Sequence, residues 1–211
     1  MYQETLTKNT QSVLKILAAS GIAKDFYLAG GTALALYLGH RFSVDLDWFA
    51  PKFSLSASFR QKLEKLGELE IDSESENTFN GALNGVRVSF FEYPYRLIAP
   101  TKLFQKNVYL AGIPDIAAMK IEAVSRRGSY KDFIDLYFLL EDYSLAELLG
   151  FVRKKFASLN YNEAHLLKAL TYFKDAGTTA MPKLIKPVSW QEITKTINSK
   201  VKIYLNQEIN K

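Results

Sequence analysis

The chain has 211 residues, 48% of them hydrophobic and 13% aromatic, which is enough for one large domain or two small ones and excludes a disordered chain. It contains no cysteine and two histidines, so disulfides, thiolate zinc sites and a cysteine nucleophile are excluded and a histidine-rich metal site is disfavoured. The net charge of +5 is unevenly distributed along the chain. Residues 150–211 contain 11 Lys/Arg and 4 Asp/Glu, whereas residues 1–149 contain 16 Lys/Arg and 18 Asp/Glu. Such a basic section suits a partner with a phosphate backbone, and it equally suits a solvated, lysine-rich helical surface.

The N-terminal section predicts a helix rather than a targeting segment. The stretch "MYQETLTKNTQSVLKIL" lacks the basic-then-apolar pattern of a signal peptide, and no apolar run approaches the roughly 18 residues that span a bilayer. We therefore expect a cytoplasmic protein without a membrane partner. Residues 3–20 predict an amphipathic helix that stops at Gly21.

The next segment predicts a strand, a helix and a second strand. Residues 26–30, "FYLAG", are short and apolar, as in a buried strand, and residues 32–39, "TALALYLG", predict a two-turn helix. Residues 43–49, "SVDLDWF", alternate strictly in polarity. A strand over this stretch would put Asp45 and Asp47 on one face and Val44, Leu46 and Trp48 on the other.

Further along the chain, strands give way to helices. Residues 55–66 predict an amphipathic helix, and residues 68–93 predict strands joined by turns, with Asn84–Gly85 the strongest hairpin signal. Helices dominate from Asp115 onward, two of them opened by Ser-x-x-Glu capping boxes at residues 144–147 and 189–192. The predicted architecture is a small mixed sheet with helices over residues 1–110 and a helical part over residues 111–211.

The diglycine turn and the D-x-D pair together indicate phosphate chemistry. Alone, a D-x-D is often a polar strand face and a Gly-Gly pair a tight turn. Joined, Gly30 and Gly31 would leave backbone amides open at a helix N-terminus, where partial positive charge favours phosphate. Asp45 and Asp47 repel each other, so a positive charge is expected between them. Mg²⁺ is the natural candidate, since it uses one or two carboxylates together with substrate phosphates.

These residues also resemble a known family. The stretch 30–49, "GGTALALYLGHRFSVDLDWF", resembles the G-[GS]…D-x-D signature of nucleotidyltransferases with the DNA polymerase β-like fold. More narrowly, it is similar to the AbiEii/AbiGii toxin family, in which a "GGTAL…HR.S.DLD.F" string is characteristic. Residues 117–140, "AAMKIEAVSRRGSYKDFIDLYFLL", are similar to that family's K…R…KD..DLY segment. The resemblance implies an α+β fold: a polymerase β-like core followed by a helical C-terminal domain that completes the active site.

In the core, the resemblance implies that Gly30, Gly31 and Thr32 cradle the triphosphate of an NTP substrate. It implies that the D-x-D acids, Asp45 and Asp47, bind Mg²⁺ or Mn²⁺.

Two neighbouring residues are further candidates for the nucleotide site. Arg41 and Ser43 precede the acids and are placed to reach phosphate oxygens, for which the planar guanidinium of arginine is well suited.

In the helical part, the resemblance assigns Lys120 to neutralising phosphate charge and Asp132 to the active site as a further acid. Lys120 and Arg127 are seven residues apart on one predicted helix and so share a face. Asp132 and Asp135 lie at the start of the next helix, near its positive end. Without the resemblance, Lys120 would be an ordinary surface lysine and Asp132 a charge that stabilises its helix.

One feature departs from the polymerase β-like pattern, which commonly has a third carboxylate on a following strand. In "GVRVSFFEY" the matching strand face would hold Arg87, Ser89 and Phe91, so the expected position is occupied by Ser89. Glu92 has the wrong parity unless a bulge shifts it. Three alternatives could take the place of the missing carboxylate as general base: Glu92, Asp132, or activation of the substrate by the metal.

The functional prediction is a Mg²⁺-dependent transfer of a nucleoside monophosphate from an NTP to an acceptor. By family resemblance the chain would be the toxin of a toxin–antitoxin or abortive-infection system. The resemblance implies RNA, and more narrowly tRNA, as acceptor and a cognate antitoxin as partner. Alternatives are an inactive nucleotide- or RNA-binding module, or a transferase acting on a small molecule or protein. The candidate RNA phosphate contacts are Arg153, Lys154, Lys155, Lys183, Lys186, Lys195, Lys200 and Lys202.

Overall fold

The computed structural model describes residues 1–159, 161–178 and 180–209. The chain forms two compact units, the first ending at Gly112 and the second beginning at Ile113. The last two residues of the predicted helical part lie outside the described residues. That this part completes the active site stays a prediction.

Three α-helices belong to the first unit: α1 (Lys8–Ser20), α2 (Gly30–Leu38) and α3 (Ala57–Glu64). Helix α1 begins later than predicted because Thr7 caps it, with the hydroxyl accepting a hydrogen bond from a backbone amide one turn on. The helix ends at Gly21, which adopts the left-handed conformation that glycine tolerates best.

Seven described strands form one mixed sheet, with the order β3-β4-β5-β2-β1-β7-β6. The β2–β5 and β1–β7 pairs are parallel and the other pairs are antiparallel, which confirms the predicted mixed sheet. The strands are β1 (Tyr27–Leu28), β2 (Leu46–Ala50), β3 (Leu69–Ser75), β4 (Thr78–Leu83), β5 (Val86–Glu92), β6 (Lys102–Gln105) and β7 (Val108–Leu110).

The predicted hairpin turn joins β4 to β5. Asn84 and Gly85 both have positive φ, 50° and 73°, as the two central residues of a type I′ turn require. Leu83 and Val86 pair directly across the turn. This turn fixes the register of β5 against β4, and the separate parallel pairing with β2 sets which β5 side chains lie beside the D-x-D strand.

The predicted strand around the D-x-D pair is shorter than expected. Strand β2 begins at Leu46, so Asp47 lies in the strand and Asp45 immediately precedes it. Val44 is 51% exposed and does not lie on the buried face with Leu46 and Trp48. The prediction that Val44 shares their face is therefore wrong.

One face of the sheet forms the core of the first unit. Leu46, Trp48 and Phe90 on this face are fully buried. The Phe90 ring lies 5.1 Å from the rings of Phe26 and Phe59, both in edge-to-face contact, and such pairs add to the stabilisation from buried area. Because side chains alternate along a strand, Asp47 and its strand neighbours at every second position emerge on the opposite face.

The second unit is helical, as predicted from Asp115 onward. Ser144 and Glu147 form the predicted reciprocal capping box, and the Glu192 amide donates to the Ser189 hydroxyl at the second predicted cap. No helix in the described ranges is long and apolar enough to cross a membrane. The helices are α4 (Ile113–Arg126), α5 (Tyr130–Asp142), α6 (Leu145–Lys155), α7 (Glu163–Leu170) and α8 (Trp190–Ile209).

Candidate active site

The first glycine of the diglycine pair brings the start of α2 against a D-x-D carboxylate. Gly30 has φ +64°, and a Cβ at this position would lie 2.8 Å from Oδ2 of Asp47. The neighbouring backbone is tied to the same strand, since the Ala29 amide donates to the Asp47 carbonyl oxygen at 3.1 Å. Only glycine satisfies both the left-handed backbone and the close approach.

The second glycine makes room for a buried guanidinium. A Cβ at Gly31 would collide with Nη2 of Arg41 and lie 3.6 Å from Oγ of Ser43. Arg41 is only 3% exposed, and its Nη1 donates to the Phe42 carbonyl oxygen at 3.0 Å. The first turn of a helix has amide protons without intrahelical partners, so amides and a fixed positive charge converge here.

Thr32 and Ser43 connect α2 to the segment that precedes β2. The Thr32 hydroxyl lies 2.8 Å from Oγ of Ser43 and donates to the backbone oxygen of Asp45. Both side chains are buried, at 1% and 7% exposure. Of the residues predicted to bind the nucleotide, these two are placed to hold the loop in position.

The row of residues beside Asp47 contains a single carboxylate. Asp47 pairs with Ser89 of β5, and Ser89 pairs in turn with Asn80 of β4. Glu92 pairs with Ala50, on the opposite parity, and the β2–β5 register has no shift that would turn it toward Asp47. Ser89 therefore occupies the expected place of the third carboxylate, and Glu92 does not replace it.

The two acids fit a divalent cation that arrives with its substrate. Asp45 and Asp47 are both partly exposed. Among the described residues there is no group of three or more His, Cys, Asp or Glu side chains that could hold a metal ion. Mg²⁺ commonly keeps several waters and binds through one or two carboxylates plus substrate phosphates, which is the donor set that this site offers.

In the second unit, Lys120 is buried between two aspartates. Its Nζ lies 2.7 Å from Oδ2 of Asp135 and 3.3 Å from Oδ1 of Asp132. The lysine side chain is 5% exposed and neither aspartate side chain is exposed. Lys120 is therefore not the ordinary surface lysine of the alternative interpretation.

Asp132 accepts hydrogen bonds from several donors. Ser129 Oγ lies 2.6 Å from Oδ2, and the Arg127 guanidinium binds both carboxylate oxygens, at 2.8 Å and 3.0 Å. Burial by itself would raise the pKa of Asp132, but hydrogen bonds from Arg127 and the charges of Lys120 and Arg127 outweigh it and hold the pKa far below its ordinary value. A carboxylate with so low a pKa is a weak proton acceptor near neutral pH.

Comparison with known proteins decides the family. A family model described as the nucleotidyl transferase AbiEii toxin of type IV toxin–antitoxin systems matches residues 12–102 and 85–202. The chain belongs to the AbiEii nucleotidyltransferase toxin family. It is also 39% identical over 205 residues to an uncharacterized protein of Aquifex aeolicus (strain VF5), covering 95% of this chain and 98% of that one.

One solved structure supports the fold of this AbiEii family member. A protein from H. pylori described as a candidate nucleotidyltransferase superposes with a TM-score of 0.54 at 14% identity, covering 93% of this chain and 95% of that chain. The nucleotidyltransferase toxin MenT4 of Mycobacterium tuberculosis H37Rv gives a TM-score of 0.44 at 15% identity, covering 92% of this chain and 84% of that chain. The predicted α+β nucleotidyltransferase fold is confirmed.

For the AbiEii glycine pair we expect Gly31→Ala to weaken NTP binding by about 10- to 100-fold, because the added methyl group displaces the Arg41 guanidinium from the start of α2. The measurement is calorimetric titration with NTP and Mg²⁺. Gly150→Ala is the matched control, since a Cβ there meets nothing within 4 Å and alanine suits its helix. Equal NTP affinity in the two variants would contradict the proposed phosphate cradle.

The pKa of Asp132 predicts an acid-sensitive second unit. Because the folded pKa is lowered, the stabilising contribution of Asp132 is present above the unfolded value of about 3.9 and is lost as the pH falls through the folded value. We expect the loss of unfolding free energy from about pH 6 to about pH 3 to be smaller in Asp132→Asn than in the wild type. Urea denaturation followed by circular dichroism measures it, and identical losses would show that Asp132 does not contribute.

One predicted phosphate contact of this AbiEii protein is wrong. Lys155 is fully buried and its Nζ lies 2.7 Å from Oδ1 of Asp115, so it is not available to RNA. Arg153 is 48% exposed but is bound to Glu163 and hydrogen-bonds Tyr204. The other exposed members of the predicted set are Lys154, Lys183, Lys186, Lys195 and Lys202, and Lys200 is half-buried.

Proposed function

We propose that the chain transfers a nucleoside monophosphate from an NTP to RNA, as the toxin of a toxin–antitoxin or abortive-infection system with a cognate antitoxin. In this reaction a hydroxyl oxygen of the acceptor forms a bond to the α-phosphorus and the bond to pyrophosphate breaks. Among RNA acceptors, we favour tRNA because of the family resemblance. Membership of the AbiEii family supports the toxin role.

The observation that carries the proposal is the contact between the diglycine turn and the D-x-D strand. The start of α2 meets Asp47 at Gly30 and Arg41 at Gly31, so a triphosphate bound by the amides and the guanidinium would lie beside a carboxylate. Asp45 and Asp47 would hold Mg²⁺ or Mn²⁺. The ion, when bound, would supply Lewis-acid stabilisation of charge on the phosphate oxygens.

The protein groups around this site are suited to binding and orientation rather than to proton transfer. Arg41 neutralises phosphate charge, and Thr32 and Ser43 hold the loop that carries it. Glu92 has the wrong parity to serve as a general base here. In the second unit, the lowered pKa of Asp132 makes that carboxylate a weak proton acceptor. For Lys120 and Asp132, roles in phosphate binding and catalysis stay predictions.

The test is incubation of the full chain with total RNA, Mg²⁺ or Mn²⁺, and each of the four NTPs labelled at the α-phosphate. We expect label in RNA that ribonuclease releases and protease does not. A parallel reaction uses NTPs labelled at the γ-phosphate, and label in the acceptor from that reaction alone would indicate phosphoryl transfer. With the α-labelled NTPs, label that protease releases would indicate a protein acceptor. Absence of transfer with all four nucleotides, while NTP binding persists, would contradict the proposal.

A further inference from the structure

A row of aromatic side chains crosses the sheet beside the D-x-D pair. Tyr109 of β7 pairs with Tyr27 of β1, Tyr27 with Phe49 of β2, and Phe49 with Phe91 of β5. Residues in register share a face of a sheet, so these four side chains, the aromatic row, lie on one face. Phe49 follows Asp47 by two positions, which puts the aromatic row on the face of that acid.

Three rings of the aromatic row, those of Tyr27, Phe49 and Phe91, contact one another in sequence. The ring centroids of Phe49 and Phe91 are 5.2 Å apart with planes 29° apart, and those of Tyr27 and Phe49 are 6.0 Å apart with planes at 22°. Tyr93 meets Phe49 edge-to-face at 5.3 Å and extends the aromatic surface beyond β5. Neighbouring rings therefore brace one another, which lowers the entropy that a ligand must remove.

Three of the four rings lie outside the core of the first unit, while Tyr27 is 5% exposed and is buried. The opposite face of the sheet is core, since Trp48 and Phe90 are fully buried there. Phe49 and Phe91 are half-buried and Tyr109 is 39% exposed, at positions where a sheet face in contact with water normally carries polar residues. The rings therefore leave apolar surface available to a ligand.

The distance from the phosphate cradle suits a nucleoside. Strand residues rise about 3.3 Å each, so Phe49 lies about 7 Å along β2 from Asp47, and Phe91 is displaced equally from Ser89 along β5. A nucleotide whose phosphates lie at Gly30 and Asp47 would therefore reach the aromatic row with its base. Bases stack on aromatic rings with little regard to sequence, because every base has a π-face.

We propose that Phe49 and Phe91, braced by Tyr27 and Tyr93, bind a nucleobase by edge-to-face contact, since neighbouring rings cover both faces of Phe49. This rests on the proposed function, because the triphosphate position sets the distance to the aromatic row. The base comes either from the NTP or from the terminal nucleotide of the acceptor, and both have the same chemistry.

The test compares ligands with and without a base. We expect Phe49→Leu and Phe91→Leu each to weaken binding of an NTP by roughly 5- to 150-fold while leaving ribose 5-triphosphate, which has no base, unchanged. Unchanged binding of ribose 5-triphosphate also shows that the variant is folded and that the phosphate site is intact. Phe49→Tyr should restore base-dependent binding, and Tyr172→Leu, an exposed aromatic in the second unit, should change neither ligand.

A second pair of ligands distinguishes the source of the base. If the acceptor supplies the base, the leucine variants should bind a short single-stranded RNA more weakly than wild type, by a similar factor. They should bind an otherwise identical RNA with an abasic 3′ end as tightly as wild type does. Equal affinity of wild type and leucine variants for every base-containing ligand would overturn the inference. These are binding measurements without turnover, so their outcome is separate from the label-transfer test of the proposed function.

Discussion

Replacing Asp47 by Asn is expected to lower nucleotide transfer by about 1000-fold or more. A catalytic divalent ion stabilises the transition state by an amount on the order of several kcal/mol. An uncharged amide oxygen is a poor substitute for a carboxylate that, in the proposed site, would share the ion with Asp45. Asn has nearly the shape of Asp, so the close approach of Gly30 is retained. The measurement is the initial rate of label transfer from an α-labelled NTP at saturating Mg²⁺.

The matched control for this prediction is Asp72→Asn on β3. Asp72 is half exposed and forms a surface ion pair with Arg87 at 3.2 Å, so its loss should change stability by at most about 1 kcal/mol and leave transfer intact. Asp45→Asn should resemble Asp47→Asn. Transfer within tenfold of the wild type in both D-x-D variants would exclude these carboxylates as the ligands of a catalytic ion.

The largest expected effect on stability comes from Asp132→Ala, which should lower the free energy of unfolding of the second unit by about 3–5 kcal/mol. The substitution removes one of two carboxylates that neutralise buried Lys120, and it also removes the acceptor for Arg127 and Ser129. A buried charge that loses its partner keeps its desolvation cost, which is why such losses are large. Urea denaturation followed by circular dichroism measures the change.

Arg126→Ala is the control on the neighbouring helix. Arg126 forms an ion pair with Glu122 one turn earlier in α4, but its side chain is 77% exposed, so its loss should cost less than about 1 kcal/mol. A similarly small cost for Asp132→Ala would mean that Lys120 finds sufficient compensation in Asp135 alone. Nucleotide transfer by the two variants, measured without urea under conditions in which both are folded, tests the predicted catalytic role of Asp132 separately.

Local patterns predicted the elements that depend on short spacings. The alternation of Leu46, Asp47 and Trp48 identified a half-buried strand, and Asn84–Gly85 identified the turn that sets the register of β5 against β4. Parity along β5 predicted Ser89 in place of the third carboxylate, and the pairing of β5 with β2 puts Ser89 beside Asp47. These features depend on residues close in sequence, and such short patterns are compatible with few local backbone conformations.

Features that depend on distant residues were not predictable. Strands β6 and β7 have four and three residues, too short for periodicity to reveal, and β7 is specified by pairing with β1 about 80 residues earlier. Lys155 is the last residue of the basic run 153–155, whose pattern predicts an exposed surface, but it is paired with Asp115 on another helix. The aromatic row likewise becomes visible only through strand register.

The bond from the Ala29 amide to the Asp47 carbonyl oxygen makes the site observable without any catalytic assay. Ala29 follows a two-residue strand flanked on both sides by partners, so its amide proton is released to solvent only when β1 and β2 separate locally. Hydrogen–deuterium exchange at this amide therefore reports how often the diglycine turn and the D-x-D strand come apart. A nucleotide that joins the two would slow that exchange in proportion to its affinity for the closed arrangement.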